Sequence, residues 1–347
     1  MIASLTRRLP HLIAAALLAL ASLLAPLPGQ AQAVPPTESD LTLDGGMGDG
    51  GATLGALHGT LMIPDGWAGG PAVVIQAGSG PTDRDGNSRI PGVHPDTLKL
   101  IAQGLATHGI ASLRVDKRCI AASAGACPGE DKLRFTTYVD DMAAWARLIT
   151  KQPKVGCVLL LGHSEGATIA TLAAAKLAVD KAPVCGVLSL SGSGRPFGQV
   201  LIEQMKASGA PPALVEKAAS IEASLAGGQT VADVPPPLQA MFRPAVQPYL
   251  ISMMALDPAK GAGALTVPLL ILQGETDLQV SVADARLLAQ AQPAATLALI
   301  PGANHVLKTA PADRPANLAT YADPTLPLAP GVMDAITGFI ATAVARH

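Results

Sequence analysis

From about residue 52 onward, short uninterrupted apolar runs alternate with longer stretches of helical periodicity. The runs are 72–76 (AVVIQ), 110–115, 158–161 (VLLL), 187–190, 269–272 (LLIL) and 296–300, and a segment at 52–63 reads as one or two strands. The helical stretches cover 96–108, 137–150, 167–179, 282–290 and 333–345. A strand with one face in water alternates polar and apolar residues. Runs without that alternation need cover on both faces, and strands separated by helices join in parallel. The pattern predicts an α/β fold with a mostly parallel sheet covered by helices on both faces.

Residues 195–262 break this rhythm. They show helical patterns with no convincing strand, punctuated by Pro211, Pro212, Pro235, Pro236, Pro237, Pro244 and Pro248. The segment reads as a helical insertion on a core made of 34–194 and 263–347. Its Met241, Met253 and Met254 sit at helical spacing, which suits apolar filler better than ligand contact.

Composition removes several function classes. Of 347 residues, 49% are hydrophobic and 14% charged, which excludes a disordered chain. A formal net charge of −2 argues against nucleic-acid binding through a basic face. With Phe 4, Tyr 3 and Trp 2, stacking platforms for bases are not expected.

The N-terminus reads as an address. Arg7 and Arg8 precede an apolar stretch from Leu12 to Leu24, which Pro26 and Pro28 interrupt before Ala31-Gln32-Ala33. The stretch is short of the about 20 residues that span a bilayer, so a secretory leader at 1–33 is expected. The expected location is periplasmic or secreted, with no membrane partner after cleavage. Export permits disulfides among Cys119, Cys127, Cys157 and Cys185.

The sharpest chemical signal is Gly162-His163-Ser164-Glu165-Gly166. It matches G-x-S-x-G, follows VLLL and precedes the helical ATIATLAAAKLA. Strand, tight turn and helix are the context that presents a serine hydroxyl at a strand's C-terminal end. A serine needs a base, and His305 lies in a loop just beyond the run at 296–300. His163 adjoins the serine and reads as structural. His94 and His108 flank a helix, His58 lies in an early strand and His347 is terminal. The base needs an orienting carboxylate, and Asp277 directly follows LLIL, with Glu275, Asp257 and Asp284 as rivals. The order Ser164, Asp277, His305 is nucleophile, acid, base. For an oxyanion, one donor is expected from the Glu165 N–H and the other from the glycine-rich loop after AVVIQ. There Ser79 is the first choice and Gly80 the second.

On these residues the chain resembles the α/β-hydrolase superfamily over essentially all of its length beyond the leader. Within it, the chain is similar to bacterial serine carboxylesterases with a helical cap between the sixth and seventh core strands. The segments carrying the resemblance are AGSGPTDRDGN, Val115-Asp116-Lys117-Arg118, GHSEG and VQPYLIS. The resemblance implies a serine esterase acting through an acyl-enzyme, with Ser164, Asp277 and His305 as its triad. Two positions depart from such relatives: Cys119 and Ala167 stand where they usually carry glycine.

The expected function is hydrolysis of a small-molecule carboxylic ester of short or medium acyl chain. The alternatives are a serine peptidase on the same fold and a non-catalytic binding protein. No cofactor or metal is expected. Gly46-Met47-Gly48-Asp49-Gly50-Gly51 has dinucleotide-loop glycines but precedes a strand-like stretch. Asp83-Arg84-Asp85-Gly86-Asn87 begins like a calcium loop, but Ser88 stands where glycine is needed, and a loop ion-pair network is expected instead. Export and strand register suggest the disulfides Cys119–Cys127 and Cys157–Cys185.

Overall fold

Successive residues of the apolar runs point to opposite faces of one sheet, as the two-residue strand period requires. Val73, Ile75, Leu159 and Leu161 belong to one buried cluster, whereas Val74, Val158 and Leu160 belong to another. Both faces are therefore covered. A computed structural model describes residues 36–347, and the expected leader at 1–33 lies outside the described residues.

Among the described residues the strands are β1 (Thr37–Leu43), β2 (Leu57–Ile63), β3 (Gly70–Gln76), β4 (Ala111–Val115), β5 (Val155–His163), β6 (Val184–Leu190), β7 (Leu269–Gly274) and β8 (Thr296–Ile300). Their order in the sheet is β1-β2-β4-β3-β5-β6-β7-β8. The β1–β2 and β2–β4 pairs are antiparallel, and all others are parallel. The segment at 52–63 yields one strand, β2. The sequence pattern does not announce strand β1, because five of its seven residues are exposed and only Leu41 and Leu43 turn toward the core.

Six helices pack on or beside the sheet: α1 (Thr97–Thr107), α2 (Phe135–Ile149), α3 (Glu165–Val179), α9 (Val282–Ala291), α10 (Arg314–Ala319) and α11 (Val332–Ala345). The connection between β6 and β7 holds α4 (Phe197–Ala207), α5 (Pro212–Ala226), α6 (Gln239–Phe242), α7 (Gln247–Met254) and α8 (Pro258–Gly263). Residues of α1 and α11 join the first cluster, and residues of α2, α3, α5 and α7 join the second. Several polar contacts pin the β6–β7 connection to the rest of the chain, among them two with the α2 region. Arg243 pairs with Glu130, with Nε donating to Oε2 at 2.9 Å. The Phe135 N–H, at the start of α2, donates to Ser252 Oγ at 2.8 Å.

Disulfides join Cys119 to Cys127 and Cys157 to Cys185. The second links β5 to its parallel neighbour β6. Among the described residues, no helix is long and apolar enough to cross a membrane.

Candidate active site

The chain leaves β3 to form β4 on one side, then returns to place β5 on the other. Strand order reverses there, and a crevice opens beyond the carboxyl ends of β3 and β5. The loop after β3 carries Gly78 and Ser79, and β5 runs directly into Ser164 and α3.

Ser164 has φ 55° and ψ −121°, a conformation that side-chain-bearing residues rarely adopt. The flanking glycines make this turn possible. A Cβ on Gly162 would lie 1.9 Å from the Gly166 carbonyl oxygen, and one on Gly166 would lie 2.5 Å from the Gln76 oxygen. The turn folds onto itself and onto the end of β3. The first N–H groups of a helix have no intrahelical acceptor. Neither the Glu165 N–H nor the Ser79 N–H finds an acceptor among the described residues.

The Asp277 side chain is fully buried, and its carboxylate is saturated. Oδ1 accepts from the backbone N–H groups of Gln279 (2.7 Å) and Val280 (2.9 Å). Oδ2 accepts from Gln273 Nε2 at 3.0 Å and from His305 Nδ1 at 2.8 Å. Burial pushes this carboxyl up, but His305 and the two backbone donors outweigh it and hold the pKa below the ordinary range. An ionised carboxylate only accepts, so His305 carries its proton on Nδ1 and leaves Nε2 free as a base. Among the described residues, no hydrogen bond joins the Ser164 hydroxyl to this ring, as is common before substrate binds.

His163 braces the loop that carries His305. Its Nε2 contacts the His305 carbonyl oxygen at 2.7 Å, and the two rings lie 4.9 Å apart. Burial, followed by the neighbouring His305, pushes its pKa down to about 4. The rival acids are used elsewhere. Asp284 pairs with Arg195, Asp257 accepts from Lys260 N at the start of α8, and Glu275 is exposed.

The loop after β3 is braced by the expected ion pairs. Arg84 reaches Asp116 through Nε (3.0 Å) and Nη2 (2.8 Å), and Arg114 pairs with Asp85 and Glu38. Asp83 Oδ1 accepts from the N–H groups of Asp85 and Asn87.

Ser164, Glu165 and Ser79 line a cavity of about 610 Å³. The β6–β7 connection supplies much of its wall, including Phe197, Leu201, Leu250 and both Met241 and Met253. Those two methionines thus face the cavity, while Met254 is core filler. Gln273 and Lys117 were not legible as site residues. The signal for each was a polar group inside or just beyond an apolar strand.

The model of the alpha/beta hydrolase family matches residues 57–320. The chain is 30% identical over 241 residues to Esterase EstD of Thermotoga maritima, an alignment covering 67% of this chain and 52% of that protein. It thus spans about half the length of that curated relative. Among solved structures, Est1E of Butyrivibrio proteoclasticus superposes with TM-score 0.53 at 19% identity, covering 87% of this chain and 99% of Est1E. The hydrolase GrgF of Penicillium sp. sh18 gives TM-score 0.55 at 18% identity, covering 89% of this chain and 99% of GrgF. At these identities the two structures speak for the fold.

Proposed function

Given that the chain belongs to the alpha/beta hydrolase family, we propose that it is an exported serine hydrolase that cleaves carboxylic esters through an acyl-enzyme. Ser164 Oγ attacks the ester carbonyl carbon, and its proton passes to His305 Nε2. Asp277 fixes the imidazole tautomer and stabilises its charged form. The N–H groups of Ser79 and Glu165 hold the oxyanion that forms. Collapse of this intermediate expels the alcohol, which takes the proton from His305. Water then bonds to the acyl carbon and gives a proton to the same nitrogen, and collapse of this second intermediate releases the acid as His305 returns that proton to Ser164 Oγ.

The reading rests on one observation: a strained serine elbow beside a histidine whose Nδ1 is held by a buried, saturated carboxylate. The likeness to Esterase EstD supports ester chemistry. The substrate falls within reach of a mostly apolar cavity of about 610 Å³, which suits a small ester of short or medium acyl chain. Helices α4–α8 act as the cap over it. Two disulfides support an oxidising compartment, in keeping with a cleaved leader.

The test is hydrolysis of nitrophenyl esters from acetyl to palmitoyl by wild type and Ser164→Ala. Wild type should turn over the shorter members, and the variant should lose turnover. Undiminished activity in Ser164→Ala would reject the assignment.

A further inference from the structure

Lys117 stands two residues beyond β4 with a side chain only 3% exposed. A buried ammonium persists only where neighbours compensate the loss of water. Here it donates to the Gly78 carbonyl, lies 3.6 Å from Glu165 Oε1, and sits 5.5 Å from the centroid of the Tyr138 ring. Burial lowers its pKa from the ordinary lysine range, and the Glu165 carboxylate pulls it back up. Nothing in the serine, histidine and aspartate chemistry calls for a charge at this place.

Gly78 and Ser79 share one peptide unit. In a trans peptide the C=O and N–H point in opposite directions. A donor that fixes the Gly78 oxygen therefore fixes the heading of the Ser79 N–H. The serine elbow confines the same unit, since a Cβ on Gly78 would come 3.0 Å from Ser164 Cβ and 3.2 Å from the His163 oxygen.

Building on the reading of Ser79 and Glu165 as oxyanion donors, we propose that Lys117 is the positioning residue of the oxyanion site. Its ammonium holds the peptide joining Gly78 and Ser79 from behind. Its ion pair ties that peptide to Glu165, the residue that carries the second donor. Hydrogen bonding at the carbonyl also polarises the peptide and strengthens its N–H. Glu165 balances the charge, so the effect is directional and not a general positive field.

Lys117→Met keeps the length of the side chain and removes the donor. The readouts are nitrophenyl acetate kinetics and inhibition by a trifluoromethyl ketone. Ser164 Oγ adds to the ketone carbon, its proton goes to His305, and the carbonyl π pair becomes an oxyanion. We expect kcat to fall about 10–100-fold with KM within about threefold of wild type. The ketone inhibition constant should weaken by the same factor as kcat/KM. Misfolding would lower the amount of active enzyme without moving that constant.

The double variant Lys117→Met with Glu165→Gln leaves no unpaired buried carboxylate and undergoes the same test if the single variant does not fold. A folded variant with wild-type kcat and ketone affinity overturns the proposal. Failure of both variants to fold assigns Lys117 to stability and also overturns it. Loss of activity in Ser164→Ala, with Lys117→Met unaffected, removes this inference alone. Retained activity in Ser164→Ala removes the esterase reading itself.

Discussion

His163 donates its Nε2–H to the backbone carbonyl of His305 at 2.7 Å, so the residue beside the nucleophile holds the loop that carries the base. A carbonyl only accepts, which puts the His163 proton on Nε2. His163→Leu keeps apolar bulk and deletes this bond. We expect kcat for nitrophenyl acetate to fall about tenfold and the urea midpoint to report a loss of about 1 kcal/mol. Unchanged kcat in a folded variant would separate the two loops functionally.

The same histidine sets a pH dependence. Its pKa is about 4 in the folded protein against 6.5 ordinarily, so below that ordinary value the unfolded chain binds the proton first. The stabilisation from keeping the ring neutral is complete above about pH 6.5 and is lost as pH falls through about 4. Asp277, also lowered, contributes stability above the ordinary carboxyl range that is lost at still lower pH. Urea midpoints compared at about pH 7 and about pH 4.5 should fall less for His163→Leu than for wild type. Parallel slopes would contradict this.

Gly166→Ala tests the closeness of the elbow to β3. The new Cβ would meet backbone oxygens of Gln76 at 2.5 Å and Ala77 at 2.8 Å, neither of which can rotate aside. We expect a loss of about 2–4 kcal/mol, read as a Tm lowered by roughly 5–10 °C. Gly338→Ala in α11 is the control. No atom lies within 4 Å of its added Cβ, and helix propensity should raise stability by about 0.5–1 kcal/mol.

Cys119 has φ +69°, a left-handed conformation that favours glycine. Here the bridge to Cys127 holds a cysteine in that conformation. Removing the bridge should cost about 2–3 kcal/mol by loop entropy. Cys119→Gly with Cys127→Ala should therefore be about 1 kcal/mol more stable than Cys119→Ala with Cys127→Ala. Equal urea midpoints for the two pairs would reject this account of the position.

What the sequence made legible was local. GHSEG could be placed because its strand, turn and helix are contiguous, and Asp277 and His305 because each directly follows an apolar run. The braces around them were hidden because they are tertiary. Gln273 looks like the end of a strand until Asp277 folds back over it, and Lys117 acquires its partner only when β3 and β4 lie side by side. The amphipathic signal that reveals strands is weak in β1, where only Leu41 and Leu43 face the core.

The contacts between Arg243 and Glu130, and between the Phe135 N–H and Ser252, tie the β6–β7 connection, which lines much of the cavity, to the rest of the chain. A wall fastened in this way does not need a lipid–water boundary to swing it aside. Kinetics on a sparingly soluble ester should accordingly saturate smoothly through its critical micelle concentration. The jump known as interfacial activation belongs to enzymes whose cover is held shut only by its own greasy underside.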